Sequence, residues 1–427
     1  MTNEKMALPC ALLKKRLIII NFAYSKKGNV GGRRWRHFST LLAESYEKVF
    51  VLTERTKDPI PPQQNSIEVI SFYHFLQTIK KINIPIVKGI MYRFSLFISK
   101  LLIRGNYFDN SLLVGKQMSK WISKHLHQHQ HEASYIIVIS MGPFQTALPI
   151  LSLKKQFPQV VFVLDYRDPW SQNTLAFGIK HLNGKRRAEE NGKERRALQL
   201  ADGILAVDQA VIRISQTDDL ATPTIIIRNG MQWSPETNVT SNEKISLLFA
   251  GTFYEDTQDL MEPFLSALKK IQQHEPDLLE WFQWNFIGHI PRSFISGVQD
   301  IGISHFNFSS PIDQTAIEEI QRQCDLGINI VHRDFCYSMN SKFLETLGAR
   351  KKTLYIGWPG STTRFIEENE IGFVWNPELD LSQVLRKIKW SKENNQLKVT
   401  PNHTLNELTF EEQSKKLKAF LNDLARH

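Results

Sequence analysis

The sequence predicts an α/β fold of two doubly wound domains, and three observations carry that expectation. Short β-branched runs alternate with amphipathic stretches from Arg16 onward, the alternation stops at a polar segment and then restarts, and charge divides unequally about the break. Apolar runs separated by segments of helical period indicate repeated βα units and a mostly parallel sheet, because parallel strands need a long crossover between them. A chain of 427 residues with 42% hydrophobic and 11% aromatic content can bury two cores of ordinary size.

The first series of strands reads "RLIIINF", "KVFVLT", "YIIVIS", "QVVFVLDY", "DGILAVD" and "TIIIRNG", with "RRWRHFSTLLAESY" as the first crossover helix. "MQWSPETNVTSNEK" is polar and aperiodic and reads as an interdomain linker. The second series comprises "ISLLFAGTF", "FQWNFIG", "ISHFNFS", "DLGINIV", "KTLYIG" and "TRFIEENEIGFVW", with "EPFLSALKKIQQ", "DQTAIEEIQRQC" and "MNSKFLETLGAR" between them. The expected domains are 1–232 and 243–427, and the last helix, 409–426, is a candidate to pack back on the first. They are expected to face each other across a cleft, with ligands at the carboxyl ends of the strands.

Net charge is +10, but the chain up to Gln232 carries 33 Lys and Arg against 17 Asp and Glu, and the remainder 20 against 26. The first domain is therefore expected to meet something anionic: nucleic acid, phosphorylated small molecules or lipid headgroups. The alternative is a merely solvated surface. Arginines beside aromatics in "RRWRHF" can mimic a nucleic-acid patch, but no recognised module accompanies them, and nucleic acid is not expected as a partner.

Cys10, Cys324 and Cys336 are too few and too scattered for a disulfide framework or a zinc site, which points to a reducing compartment. The amino end reads poorly as a secretory signal, because Lys14, Lys15 and Arg16 break its apolar runs, and no apolar stretch is long enough to span a bilayer. A cytoplasmic protein, soluble or peripheral at the inner face of the membrane, is expected.

Residues 78 to 104 interleave apolar and aromatic side chains with Lys80, Lys81, Lys88, Arg93, Lys100 and Arg104. Such a segment lies in an anionic membrane interface or packs on the sheet as an ordinary helix. In "HLHQHQH" only pairs such as His125 and His129 share a helix face, and no acidic or cysteine partner with a metal signature follows, so a solvated helix end is expected rather than a metal site.

"KKGNVGGRRWRHF", Lys26 to Phe38, follows the first strand. Gly28, Gly31 and Gly32 would let backbone N–H groups approach an anion at a helix N-terminus. The spacing is neither GxGxxG nor a P-loop, and a tight turn capping the helix is the alternative.

Taken in order, "GGRRW", "VLDYRDPW", "ADGILAVD", "IIIRNG", "FAGTFY", "NSKFLETLGARKKTLYIG" and "FIEENEIGFVW" resemble the family 4 glycosyltransferases of the GT-B fold, particularly the branch that builds bacterial surface polysaccharides. The likeness runs from Arg16 to "TFEEQSKKLKAFLNDL", and "DYRDPW" and "SKFLETLGA" are its most specific parts. It implies two Rossmann-like domains and a retaining hexosyltransferase-like enzyme that needs no metal ion or cofactor. Sugar would pass from a nucleotide diphosphate sugar, held by the second domain, to a saccharide or lipid-linked acceptor, bound by the first. The chain contains no DxD motif for a divalent ion on a diphosphate.

The resemblance places Glu345 at the second glutamate of the family's pair, where a carboxylate can accept from two ribose hydroxyls. The first glutamate of the pair falls at Tyr337. Lys342 would neutralise charge on the departing diphosphate, with Ser341 beside it. The turn "AGTFYEDTQD" offers the Gly251 and Thr252 backbone but lacks the family's arginine and lysine, and has Glu255 and Asp256 instead. Arg333, or Arg33 and Arg34, would compensate. Gly31 and Gly32 complete the donor-binding candidates.

In the first domain, Asp165, Arg167 and Asp168 of "LDYRDPW" orient the acceptor or hold their loop by an internal salt bridge, and Asp168 is the candidate placed nearest catalysis. "SMGPF", Ser140 to Phe144, should line the acceptor side and offers no histidine as general base. Two other functions fit the same fold: a nucleotide-sugar epimerase, and a non-catalytic binding protein.

Overall fold

The computed structural model describes residues 14–26, 29–55, 65–73, 85–173, 178–215, 221–236, 243–253 and 258–426. Cys10, Gly28, Lys80, Lys81, Glu255, Asp256 and the later part of the expected linker lie outside them. The chain forms two compact units, Met1–Ile227 with Ser414–His427, and Arg228–Gln413.

The first unit runs β1 (Lys14–Ile20), α1 (Val30–Leu42), β2 (Lys48–Glu54), β3 (Ile67–Phe72), α2 (Pro85–Leu102), α3 (Ser111–His129), β4 (Ala133–Ser140), α4 (Ala147–Leu151), β5 (Val161–Tyr166), α5 (Gly184–Leu200), β6 (Gly203–Ala206), α6 (Gln209–Ile214) and β7 (Thr224–Ile226). Among the described residues its sheet has the order β3-β2-β1-β4-β5-β6-β7, with every neighbouring pair parallel. Central strands covered on both faces need uninterrupted apolar runs, and Leu17–Ile20 and Ile136–Ile139 are buried accordingly.

The crossover helices follow the sequence pattern. Asn29 caps α1, its Oδ1 accepting from Gly32 N at 3.2 Å, and Trp35, Phe38 and Leu42 fall on the buried face. In α3, Val114, Met118, Ile122 and Leu126 make the buried stripe. The histidine run at its end differs in part from the expected solvated terminus. His127 and His131 are exposed, but His125 stacks on Trp121 at 4.9 Å and shares a 3.2 Å hydrogen bond with the Tyr135 hydroxyl. Burial brings its imidazole down to about 4.

The second unit runs β8 (Ile245–Thr252), α7 (Gln258–His274), α8 (Pro276–Glu280), β9 (Phe282–His289), α9 (Arg292–Ile301), β10 (Phe306–Ser309), α10 (Gln314–Gln323), β11 (Leu326–Val331), α11 (Ser341–Gly348), β12 (Lys352–Gly357), α12 (Ser361–Asn369), β13 (Gly372–Trp375), α13 (Leu381–Glu393) and α14 (His403–Asn406). Its parallel sheet has the order β10-β9-β8-β11-β12-β13. The core beneath it is aromatic: Phe264 lies 5.3 Å from Trp375, and Phe286 lies 5.5 Å from Phe249 and 5.4 Å from Phe294.

The chain leaves the first unit at Ile227, earlier than the expected boundary at Gln232. Ile227 still bonds Ala206 through its N–H, whereas Met231 bridges Thr409, Trp233 Nε1 donates to Asn406 at 2.8 Å, and Ser234 N donates to Gly348 O. The apolar Met231 and Trp233 therefore pack within the second unit instead of forming a free linker. The chain returns to the first unit at Ser414, inside α15 (Phe410–Leu424). There Phe420 and Leu424 pack on Gly203, and Lys15 Nζ donates to Asn422 at 2.8 Å.

Candidate functional site

In an open parallel sheet the ligand crevice forms where the strand order reverses, outside the carboxyl ends of the two strands concerned. In the second unit those strands are β8 and β11. β8 ends through Gly251 at φ +143°, a conformation that side-chain-bearing residues rarely adopt. The space a Cβ would occupy is taken by Lys342: a Cβ built on Gly251 would lie 2.2 Å from Nζ.

Lys342 reaches that position from the first turn of α11. Asn340 caps this helix, its Oδ1 accepting from Phe343 N at 2.9 Å while its Nδ2 donates to Asn329 Oδ1 on β11 at 2.8 Å. The helix start is thereby fixed to the strand end. Lys342 Nζ donates to the Thr252 carbonyl at 3.4 Å and lies 4.7 Å from the centre of the Phe249 ring. Burial brings the ammonium down to about 8, against the attraction of Glu345, three residues along the same helix face. Glu345 is half-buried, as is Ser341. With the Phe343 N–H taken by the cap and Leu344 N bonded to Asn340 O, the Ser341 and Lys342 N–H groups are those the helix N-terminus presents outward.

Arg333 turns toward the other neighbour of β11. Its guanidinium lies 4.4 Å from the Trp358 ring, just beyond β12, and Trp358 Nε1 donates to Asp259 at 3.1 Å. Tyr337 accepts through its carbonyl from Ser361 Oγ at 2.8 Å, and Cys336 O accepts from Ser361 N. The backbone before α11 is thus tied to the start of α12.

In the first unit the order reverses between β1 and β4. The glycine turn beside β1 is packed against other parts of the chain. A Cβ on Gly31 would lie 1.6 Å from Arg167 Nη1, and one on Gly32 would lie 2.2 Å from the Ala23 carbonyl oxygen. The Gly31 carbonyl accepts from Asn21 Nδ2, and the Gly32 N–H goes to Asn29. Arg167 donates from Nε to Met141 O at 3.3 Å and from Nη2 to Gly142 O at 3.2 Å. Its guanidinium therefore fills the space beside the Cα of Gly31. Arg33 is half-buried, and its charge, with that of Arg36, adds to burial in bringing His37 down to about 4.

Arg34 is turned into the interior of the first unit. It is 2% exposed and bonds Asp165 at 3.1 Å and the Ile227 carbonyl at 2.8 Å, while Trp35 Nε1 donates to the other oxygen of Asp165 at 2.7 Å. The salt bridge of Asp165 therefore runs to Arg34 on α1, not to a charge of its own loop as expected from the sequence. Asp168, two residues beyond β5, is half-buried.

Sequence reasoning missed the buried carboxylates that fix the loop after β4. Asp109 accepts from Phe144 N at 2.8 Å and Gln145 N at 3.0 Å, and burial raises its pKa. Glu190 is fully buried and accepts from Gln145 Nε2, Asn106 N, Trp170 Nε1 and Lys193 Nζ. A signal existed in the spacing of Glu190 and Glu194, one helical turn apart in an otherwise basic segment.

No protein-family model matches the chain, and no curated protein does. Solved structures do. A trehalose-6-phosphate structure from E. coli bound with UDP-2-fluoro glucose superposes with a TM-score of 0.59 at 11% identity, covering 96% of this chain and 99% of that one. An α,α-trehalose-phosphate synthase (UDP-forming) from Burkholderia xenovorans, in complex with glucose-6-phosphate, gives 0.57 at 8% identity, over 96% and 100%. A protein designated a UDP-N-acetylglucosamine 2-epimerase, from Listeria monocytogenes, gives 0.53 at 9% identity, over 96% of each chain. At such identities the likeness speaks for architecture alone, and with the two parallel sheets it makes this an α/β chain of the GT-B fold.

Proposed function

We propose that this protein is a glycosyltransferase that moves a sugar, with retention and without a metal ion, from a nucleotide diphosphate sugar to a saccharide or lipid-linked acceptor. We place it in surface-polysaccharide biosynthesis, in the cytoplasm at the inner face of the membrane. One observation carries the reading: Lys342, a half-buried ammonium brought down to about 8, is held against Gly251 and Thr252 at the reversal point of the second sheet. Keeping a cation there costs folding energy, which an anionic ligand would offset.

In this reading the diphosphate lies over the α11 N-terminus, contacted by the Ser341 and Lys342 N–H groups and the backbone of Gly251 and Thr252. Glu345 accepts from the ribose hydroxyls. Lys342 stabilises the diphosphate as the bond to the sugar breaks, and the acceptor's proton passes to that leaving phosphate. Arg333 adds a cation on the β12 side, and Asp168 orients the acceptor. The donors in two of the neighbours' names, UDP-2-fluoro glucose and a UDP-forming reaction, support a nucleotide sugar as substrate.

The test is a thermal-shift panel of UDP, GDP, ADP and TDP, followed by calorimetry of the responder. Glu345→Ala should weaken binding by about 1.5–3 kcal/mol for each charged hydrogen bond lost; unchanged affinity removes Glu345 from the site, and no responder removes the donor-binding reading. The epimerase reading is favoured by one neighbour's designation. Product analysis separates the two, since an epimerase converts the nucleotide sugar with no acceptor present.

A further inference from the structure

Helix α2 has its faces reversed. The positions it turns inward include Ser95, Ser99 and half-buried Leu96, whereas its apolar residues face outward. Ile86, Ile90, Phe94, Phe97, Leu101 and Leu102 are all exposed, Leu102 to 78% and Ile86 to 75%. At roughly 100° per residue Ile86, Ile90, Phe94, Phe97 and Leu101 fall within one arc about 80° wide, opposite the serines, and Leu102 lies about 80° beyond its edge. Arg93 and Lys100 flank that arc on one side, and α2 contains no acidic residue.

The underside of α2 is anchored by polar bonds that hold the helix in place. Ser99 Oγ donates to Asn110 at 2.7 Å, and Arg186 from α5 closes the helix C-terminus, donating to Lys100 O, Ile103 O and Gly105 O. The carboxylates of α5 point inward: Glu189 accepts from Gly105 N, Glu190 lies in its buried network, and Glu194 accepts from Ser171 N. Lys185, Arg195 and Arg196 are exposed and fall within an arc of about 100° on α5.

We propose that α2 seats the protein on an anionic lipid bilayer, its Phe94 and Phe97 side entering the acyl boundary while the cations of α2 and α5 meet headgroup phosphates. No helix among the described residues is long and apolar enough to cross a membrane, so α2 lies along the interface, about 27 Å of helix in its plane. Charge decides between lipid and a second copy of the chain. A two-fold contact through this face with the helices antiparallel would set Arg93, Lys100 and Arg104 against the same cations of the other copy, and α2 carries no carboxylate to offset them. An anionic surface complements both the apolar arc and its flanking charges.

This seat deepens the lipid-linked-acceptor reading and rests on it for its purpose, but its test requires no sugar chemistry. The full chain is floated with vesicles of phosphatidylcholine alone or mixed equally with phosphatidylglycerol. Wild-type protein should bind the mixed vesicles, and Phe94→Gln/Phe97→Gln/Leu101→Gln should weaken that binding about tenfold or more with an unlowered thermal midpoint. Equal binding by variant and wild type, or no binding by wild type, overturns the proposal. A wild-type dimer that the variant dissolves, without vesicle binding, assigns the face to a second copy. Vesicle binding without any nucleotide response would leave the seat standing and the transferase reading refuted.

Discussion

Replacing Lys342 with methionine keeps the reach of the side chain and removes its charge. Burial brings this ammonium from 10.5 to about 8, which at about 1.4 kcal/mol per pH unit sets a ceiling of about 3 kcal/mol on its cost to folding. The attraction of Glu345 is already contained in that value, and the half-buried side chain keeps some solvent, which brings the expected cost to roughly 1–2 kcal/mol. The folded protein holds this proton less readily than the unfolded chain. The cost is therefore complete below about pH 8 and fades as pH rises toward 10.5. Lys342→Met should accordingly stabilise the protein by roughly 1–2 kcal/mol at neutral pH, with the gain reduced by about half or more near pH 9.5. The same variant should lose about tenfold or more in affinity for the nucleoside diphosphate, one charge-assisted bond to phosphate being gone. Urea unfolding at the two pH values, paired with calorimetric titration, reads both effects. A variant less stable at neutral pH, or one that binds as well as wild type, would refute the assignment, because a purely structural lysine lowers stability when removed and leaves affinity alone.

Two further outcomes follow from the first unit. Asp165→Asn leaves the buried Arg34 guanidinium without its carboxylate and should cost about 3–5 kcal/mol in urea unfolding, and a loss under about 1 kcal/mol would show that the pair is not buried as described. Gly31→Ala should destabilise wild type but much less so in an Arg167→Ala background, since the added methyl meets the Arg167 guanidinium; simple additivity of the two changes would remove that contact.

Much of the fold was legible because parallel strands buried on both faces must be written as continuous apolar runs, and "RLIIINF", "YIIVIS" and "DLGINIV" are such runs. The Lys342–Glu345 pair was legible as well, for three residues along a helix always share a face. The boundary after Ile227 was not: "MQWSPE" looks like linker in composition, and only the tertiary bonds of Met231, Trp233 and Ser234 show that its start is packed. Arg34 was misread for a related reason. A run of arginines after a glycine turn states charge but not direction, and the partner that turns Arg34 inward lies 131 residues away.

By itself the sequence determined the alternation of strand and helix, the two series of βα units and the residues that share the first turn and a half of α11, because these depend on local period and spacing. Tertiary structure alone decided that Lys342 fills the space beside Gly251, that Arg167 fills the space beside Gly31, and that α2 turns its serines inward and its phenylalanines out. Periodicity says which side chains are apolar; which face finds a partner depends on what the rest of the chain brings against it.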